Sequence, residues 1–240
     1  MTKLIDTHFH LDMYKNHKEI FEYLNQKNIY TLCMTNSPGV FISCNKLYSE
    51  GKYVRFAMGF HPLNFGLTDK DMDDFLWLLP SVDYVGEIGL DFSQKKCLPK
   101  ERQMIYFERI VDKCAVLNKL MSIHVRKAEA EAIKILEKYM PSRIIIHWFS
   151  GSESELKMFL ELGCYFSINA NMVLSNLKIV KQIPRDKILI ESDGPYSRVN
   201  GIKYKPELLR KEYEIISNKL NEPELTTIVF QNFKRLLMTK

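Results

Sequence analysis

Two histidines spaced by one residue, His8 and His10, stand at the end of a short apolar run that begins at Leu4. In a strand alternate side chains share a face, so Asp6, His8 and His10 project the same way. Two neutral imidazoles on one side make the start of a transition-metal site, and a carboxylate one pleat deeper could hold a ligand's second nitrogen. An H-x-H is also common by chance and fits surface histidines. Its chemistry therefore depends on whether later segments supply further ligands.

Several do. His61 follows the strand-like run 53–60 and precedes Pro62; Glu87 lies between Gly86 and Gly89 in the run 83–91. His124 ends 120–124, His147 ends 143–147, and Asp193 closes the run that starts at Lys187. A carboxylate in an apolar strand is costly to bury unless it is paired or binds a metal. For Glu87 alone, a surface or salt-bridged position is the alternative. Five of the six histidines fall at predicted strand ends together with Glu87 and Asp193, a collection that core packing does not explain. The mixture of imidazole and carboxylate, without suitably spaced cysteines, favours Zn, Mn, Mg or a related divalent ion over a thiolate site. Four histidines and two carboxylates exceed the needs of one catalytic ion, which usually takes three protein ligands and a water. Two ions bridged by a carboxylate is the expected solution. Such a pair, about 4 Å apart, can hold a phosphate, lower the pKa of a water and stabilise attacking and leaving oxygens. That is hydrolytic chemistry, with phosphodiester cleavage a frequent use.

The elements that would position these groups alternate. Strand-like runs are followed by helix-like segments at 17–28, 40–50, 69–79, 99–119, 128–139, 153–162 and, more weakly, 175–182. Further strands are expected at 29–35 and 164–168, and two closing helices at 206–220 and 222–237. The stripe Met104, Phe107, Ile110, Val111, Cys114 and Leu117 reads as core. Eight strand-then-helix units of roughly 30 residues each argue for a parallel sheet closed as a (β/α)8 TIM barrel. A doubly wound open sheet is the alternative, although no G-x-G-x-x-G follows any strand. In a barrel the carboxyl ends of the strands meet at one face, where active sites form.

At 240 residues and 46% hydrophobic, with no linker, low-complexity run or visible repeat, the chain is expected to form one domain over 1–240. No signal for export is visible, and the longest apolar runs, such as 75–79, are far shorter than the ~20 residues a bilayer requires. A soluble cytoplasmic protein without membrane contact is expected. Five cysteines without C-x-x-C spacing, among them Cys33, Cys114 and Cys164 in apolar segments, read as buried free thiols. The net charge of +5 fits a polyanionic partner but is ordinary for a soluble protein. Basic residues cluster at Lys95-Lys96, at Arg126-Lys127 and over 198–210.

The series D-T-H-F-H-L from Asp6, G-F-H-P from Gly59, V-G-E-I-G-L-D from Val85, I-H-V-R from Ile123, H-W-F-S-G from His147 and E-S-D-G-P from Glu191 resembles the TatD family of metal-dependent deoxyribonucleases. The likeness runs in order across nearly the whole chain, including Asn232-Phe233. It implies that His8, His10 and Asp193 hold one ion, that His124 and His147 hold the other, and that Glu87 bridges them. Asp193 would also accept a proton from the attacking water. His61 and Arg126 would lie beside the site, contacting either substrate phosphate or the protein. Asp6 and Glu191, by their parity with ligands, are expected to support them. Trp148 stands where the family commonly has a cysteine, Gly194 where alanine or another small residue is common, and Ser93 to Lys96 where aromatic and arginine residues often follow the aspartate. These loops would border nucleic acid, so Trp148 either stacks on a base or packs under a loop, and Lys95, Lys96 and Arg198 are candidate DNA contacts. The resemblance implies DNA cleavage, by exonuclease action on single-stranded or frayed ends, with roles in repair, DNA breakdown or anti-phage defence. Proteins encoded by neighbouring genes are the candidate partners. An amide or aminoacyl-ester hydrolase on the same barrel, or a binding module whose catalysis has lapsed, are the other readings.

Overall fold

The computed structural model describes residues 3–48 and 51–239. Its strands are β1 (Ile5–Phe9), β2 (Tyr30–Met34), β3 (Val54–Phe60), β4 (Tyr84–Asp91), β5 (Leu120–Arg126), β6 (Ile144–His147), β7 (Tyr165–Ile168) and β8 (Ile188–Ile190). They form one sheet in chain order, with parallel pairing wherever the register is defined. The segment after β8 returns to β1: the Asp193 N–H donates to the His8 carbonyl at 2.9 Å and the His10 N–H to the Gly194 carbonyl at 2.9 Å. The fold is the expected (β/α)8 barrel. Its strands are apolar nearly throughout because both faces of such a sheet are covered.

The connecting helices are α1 (His17–Gln26), α2 (Pro38–Leu47), α3 (Asp69–Leu78), α4 (Lys100–Val116), α5 (Glu129–Tyr139), α6 (Glu153–Glu161), α7 (Ala170–Ser175) and α8 (Leu177–Val180). Two start on reciprocal caps. Thr68 and Asp71 exchange hydrogen bonds ahead of α3, and Ser152 and Glu155 ahead of α6, which satisfies first-turn N–H groups. On α4 the expected stripe is buried at Phe107, Ile110, Val111 and Cys114, joined by Gln103 and Tyr106. The helix expected at 175–182 is only the four-residue α8; the helix α7 before it was not expected, and Asn176, whose φ of −142° leaves the helical region, parts the two. The expected second helix ends at Leu47; Ser49 and Glu50, assigned to it from sequence, lie outside the described residues. After β8 comes an antiparallel ribbon, β9 (Arg198–Val199) and β10 (Ile202–Lys203), then α9 (Leu209–Leu220) and α10 (Leu225–Met238). Among the described residues no helix is long and apolar enough to cross a membrane.

By its contacts the chain divides into two compact units. The first, residues 1–33, 48–55 and 166–238, carries β1, most of β2, β8, the ribbon, α1 and α7 to α10. Here α10 closes on the start of β8, where the buried Asn232 side chain donates to the Arg185 and Ile188 carbonyls, each at 2.9 Å. The second, residues 34–47, 56–165 and 239–240, carries β3 to β6 and α2 to α6.

Glu212 on α9 is fully buried, and its Oε1 accepts the Ala170 N–H at 2.8 Å, capping α7. Burial raises its pKa well above the ordinary 4.5. The native chain therefore keeps a proton there that the unfolded chain releases, and this contribution to stability declines as pH rises above 4.5. Glu212→Gln removes the titration. Urea midpoints from pH 5 to 8 should fall with pH in the parent relative to the variant; parallel curves would show that Glu212 is not held neutral.

Candidate metal centre

In the second unit, four side chains meet at one oxygen. Glu87 is the fourth residue of β4, not its end, and is 3% exposed. Its Oε1 lies 2.8 Å from His124 Nδ1 on β5, 3.2 Å from His61 Nε2 just past β3, and 3.4 Å from His147 Nε2 at the end of β6. The flanking glycines allow this approach. Gly89 has φ +139°, and a Cβ there would land on the His124 carbonyl, while a Cβ at Gly86 would meet the Met34 sulfur and the Ser122 side chain.

The imidazoles are not equivalent. His61 Nδ1 accepts the Leu63 N–H at 3.0 Å, so in the neutral ring the proton sits on Nε2 and is donated to Glu87. That nitrogen has no lone pair to offer a cation, which makes His61 a support of Glu87. His124 turns Nδ1 to Glu87 and Nε2 to Asp91 Oδ2 at 3.0 Å. Burial disfavours charge on this ring, but the hydrogen bonds to Asp91 and Glu87 prevail and raise its pKa to about 9. Burial likewise pushes Asp91 up, yet the His124 and Ser93 hydrogen bonds outweigh it and hold the carboxyl at about 2. With a metal on Nδ1, the Nε2–H would remain on Asp91, the carboxylate–histidine–metal arrangement that fixes a ligand's tautomer and orientation.

In the first unit a smaller cluster gathers. His8 Nε2 and His10 Nε2 face each other at 3.3 Å, and both face Asp193 Oδ1, at 3.8 and 3.4 Å. Two imidazoles and a carboxylate, with ligand atoms all within 4.8 Å of one another, form a donor set suited to one divalent ion. Asp193 lies past β8 in the left-handed region at φ +49°, which aspartate tolerates better than most residues. It is held there by its N–H on the His8 carbonyl at 2.9 Å and by its own carbonyl, which accepts the Tyr196 N–H at 2.8 Å.

The two expected supporting carboxylates are buried here and serve backbone and side-chain donors. Asp6 Oδ1 accepts the His8 N–H at 3.2 Å and the Ser192 N–H at 2.9 Å, and Oδ2 accepts the Ser192 hydroxyl at 2.5 Å. It thus ties β1 to the segment carrying Asp193. Burial pushes its pKa up to about 7 against these hydrogen bonds. Glu191 accepts from the Ser167 hydroxyl, and from Asn169 Nδ2 at 3.1 Å.

Other predicted residues spread over the surface. Arg126 is exposed at the last position of β5, two residues past His124. Trp148, half-buried at φ +40°, stands edge-on to the His147 ring at 6.4 Å. Lys95 and Lys96 are exposed in the loop before α4. Arg198 is exposed on β9. Sequence reasoning assigned no role to Asp91, Ser192 or Gln103. Asp91 had a signal, since it closes the same strand as Glu87 with the same parity. Gln103 Oε1 accepts the Asp91 N–H at 2.8 Å and its Nε2 donates to the Asp91 carbonyl at 3.0 Å, clasping the strand end from α4. Asp91→Asn should weaken divalent-ion binding by roughly 10- to 100-fold with the fold retained, as read by titration calorimetry; unchanged affinity would remove Asp91 from the site.

Residues 5–238 match the family model described as TatD related DNase. YabD of Bacillus subtilis, described as an uncharacterized metal-dependent hydrolase, is 25% identical over 253 residues, covering 97% of this chain and 98% of that protein. YcfH of Escherichia coli K12, described in the same words, is 29% identical over 254 residues, covering 97% and 95%. Deoxyribonuclease Tat-D of Schizosaccharomyces pombe is 34% identical over 119 residues, and the match spans 48% of this chain and 38% of that one. The crystal structure of YJJV, a TatD homologue from Escherichia coli K12, superposes with a TM-score of 0.88 at 20% identity, covering 100% and 99% of the two chains, which establishes the barrel. With its imidazole and carboxylate clusters and a family match from β1 to α10, this chain belongs to the TatD related DNase family and is a metal-dependent hydrolase.

Proposed function

We propose that this protein is a deoxyribonuclease acting as an exonuclease on single-stranded or frayed DNA ends, through a water activated by two divalent ions, Mg, Mn or Zn. The observation that carries the reading is a pair of clusters: His8, His10 and Asp193, whose ligand atoms lie within 4.8 Å of one another, and Glu87 with His124 and His147 at 2.8 and 3.4 Å from its Oε1; each would hold one ion. Bound ions would supply Lewis acidity, which polarises a phosphodiester and acidifies a water. Asp193 accepts the proton of the attacking water, as a carboxylate among the ligands is placed to do. His61 keeps Glu87 oriented through its Nε2–H, and Asp91 fixes the tautomer of His124. Asp6 and Glu191 hold the backbone and polar groups that position the ligands of the first unit. Arg126 offers a planar guanidinium to substrate phosphate. Five free cysteines, four of them buried, fit a reducing cytoplasmic setting. The chain acts as one domain, and protein partners are to be sought among the products of neighbouring genes.

End-labelled single-stranded DNA, circular DNA, and amide and ester substrates, each with Mg, Mn and Zn, test the reading. Shortening of the end-labelled strand is expected, with circular DNA and the other substrates left intact. Glu87→Ala should reduce turnover to the level seen with a chelator while the circular dichroism spectrum is retained. Turnover that survives chelation or the substitution would overturn it.

A further inference from the structure

The ribbon that follows Asp193 supplies none of the proposed metal ligands, yet it carries a run of exposed cations. Arg198 pairs with Lys203 and Val199 with Ile202. The register continues inward, where the Tyr204 N–H donates to the Ser197 carbonyl at 3.1 Å. Alternate residues therefore share a face. Ser197, Val199 and Tyr204 are buried, whereas Ile202 opposite Val199 is exposed; Arg198 and Lys203 are exposed, as are Tyr196 in the turn before the ribbon and Lys205 after it. The turn is Asn200-Gly201, both at positive φ, 50° and 78°, as a tight two-residue hairpin requires.

The outer face thus carries Arg198 and Lys203, flanked by Tyr196 and Lys205, and no acidic residue occurs between Asp193 and Glu207. Like charges directly opposite across a ribbon are destabilising, so the Arg198–Lys203 pair is costly unless an anion lies over it. Arg198 is not folded back onto an acid: its guanidinium donates to the Gly201 carbonyl at 2.8 Å and its backbone N–H to Asn171 Oδ1 at 3.2 Å. The root of the ribbon is fixed to the metal cluster. The Tyr196 and Ser197 N–H groups both donate to the Asp193 carbonyl, at 2.8 and 3.3 Å, and the Tyr196 ring, 59% exposed, stands edge-on to His10 at 5.3 Å. Beneath, the Tyr204 carbonyl accepts the Tyr14 hydroxyl at 3.1 Å.

We propose that this ribbon is the substrate arm, its exposed face binding a single DNA strand next to the reacting phosphate, with one base stacked on Tyr196 and phosphates on Arg198 and Lys203. The inference rests on the DNase reading and goes beyond it in placing the strand and the source of its preference for unpaired ends. An aromatic ring accepts any base face, and cations track the backbone. A base within a duplex already has both faces covered, so Tyr196 selects an unpaired or frayed one.

Fluorescence anisotropy with a labelled 20-mer oligothymidylate and a 20-bp duplex, over a range of salt, tests this on the full chain. Tyr196→Ala should weaken single-strand binding by about 5- to 150-fold, and Tyr196→Trp should retain it. Arg198→Glu with Lys203→Glu should lower the slope of log affinity against log salt by about 1.4. Thermal melting of each variant shows that the barrel is intact. Variants that bind as the parent does, or a parent that prefers the duplex, would overturn the arm while leaving the hydrolase reading in place. A parent that cleaves no DNA would instead overturn the reading on which the arm rests.

Discussion

The Glu87 carboxylate is the constraint on which the second unit depends. It is 3% exposed inside an apolar strand, where an unpaired charge costs several kcal/mol to keep. Three imidazoles meet it at one oxygen, and each comes from a different strand. The strands must therefore bring His61, His124 and His147 to the same level, and β4 must pass close enough to β5 for the contact. Gly89 makes that passage by having no side chain to strike the His124 carbonyl. The need propagates outward: His124 is steadied by Asp91, Asp91 by Ser93, and the Asp91 backbone by Gln103 from α4. A chain of partners from the barrel interior to an outer helix thus sets the orientation of one ring.

The first unit solves a related problem with backbone. His8 and His10 are carried by β1, but Asp193 lies past β8 in a conformation that side chains seldom adopt. Asp6 closes the gap by accepting from His8 on one side and Ser192 on the other, and the Asp193 N–H reaches the His8 carbonyl. A neutral hydrogen bond such as that of the Asp193 N–H is worth roughly 0.5–1.5 kcal/mol, comparable to the ~1–2 kcal/mol that a left-handed residue costs.

Strand positions were legible because buried parallel strands read as apolar runs, and the candidate ligands were singled out as the polar residues that interrupt or end those runs. Glu87 showed itself in this way, although the strand continues to Asp91 beyond it. What could not be read was set by side-chain partners. Asp6 was expected to serve a ligand's ring nitrogen from its parity with His8; its oxygens instead bind N–H groups and a hydroxyl, which parity does not distinguish. The pairing of Asp91 with His124 joins residues 33 positions apart across two strands. The ribbon was missed for another reason. Its strands are two residues long and carry no clear hydrophobic period, so only the Asn200-Gly201 dipeptide announced a hairpin.

Each of the two candidate ligand sets is proposed to hold an ion. Crystals soaked in Mn or Zn and measured at the metal's absorption edge test it most directly. Two anomalous peaks are expected, one on His8, His10 and Asp193 and the other on Glu87, His124 and His147, with His61 outside coordination distance. A single peak, or peaks ligated by other residues, would contradict it.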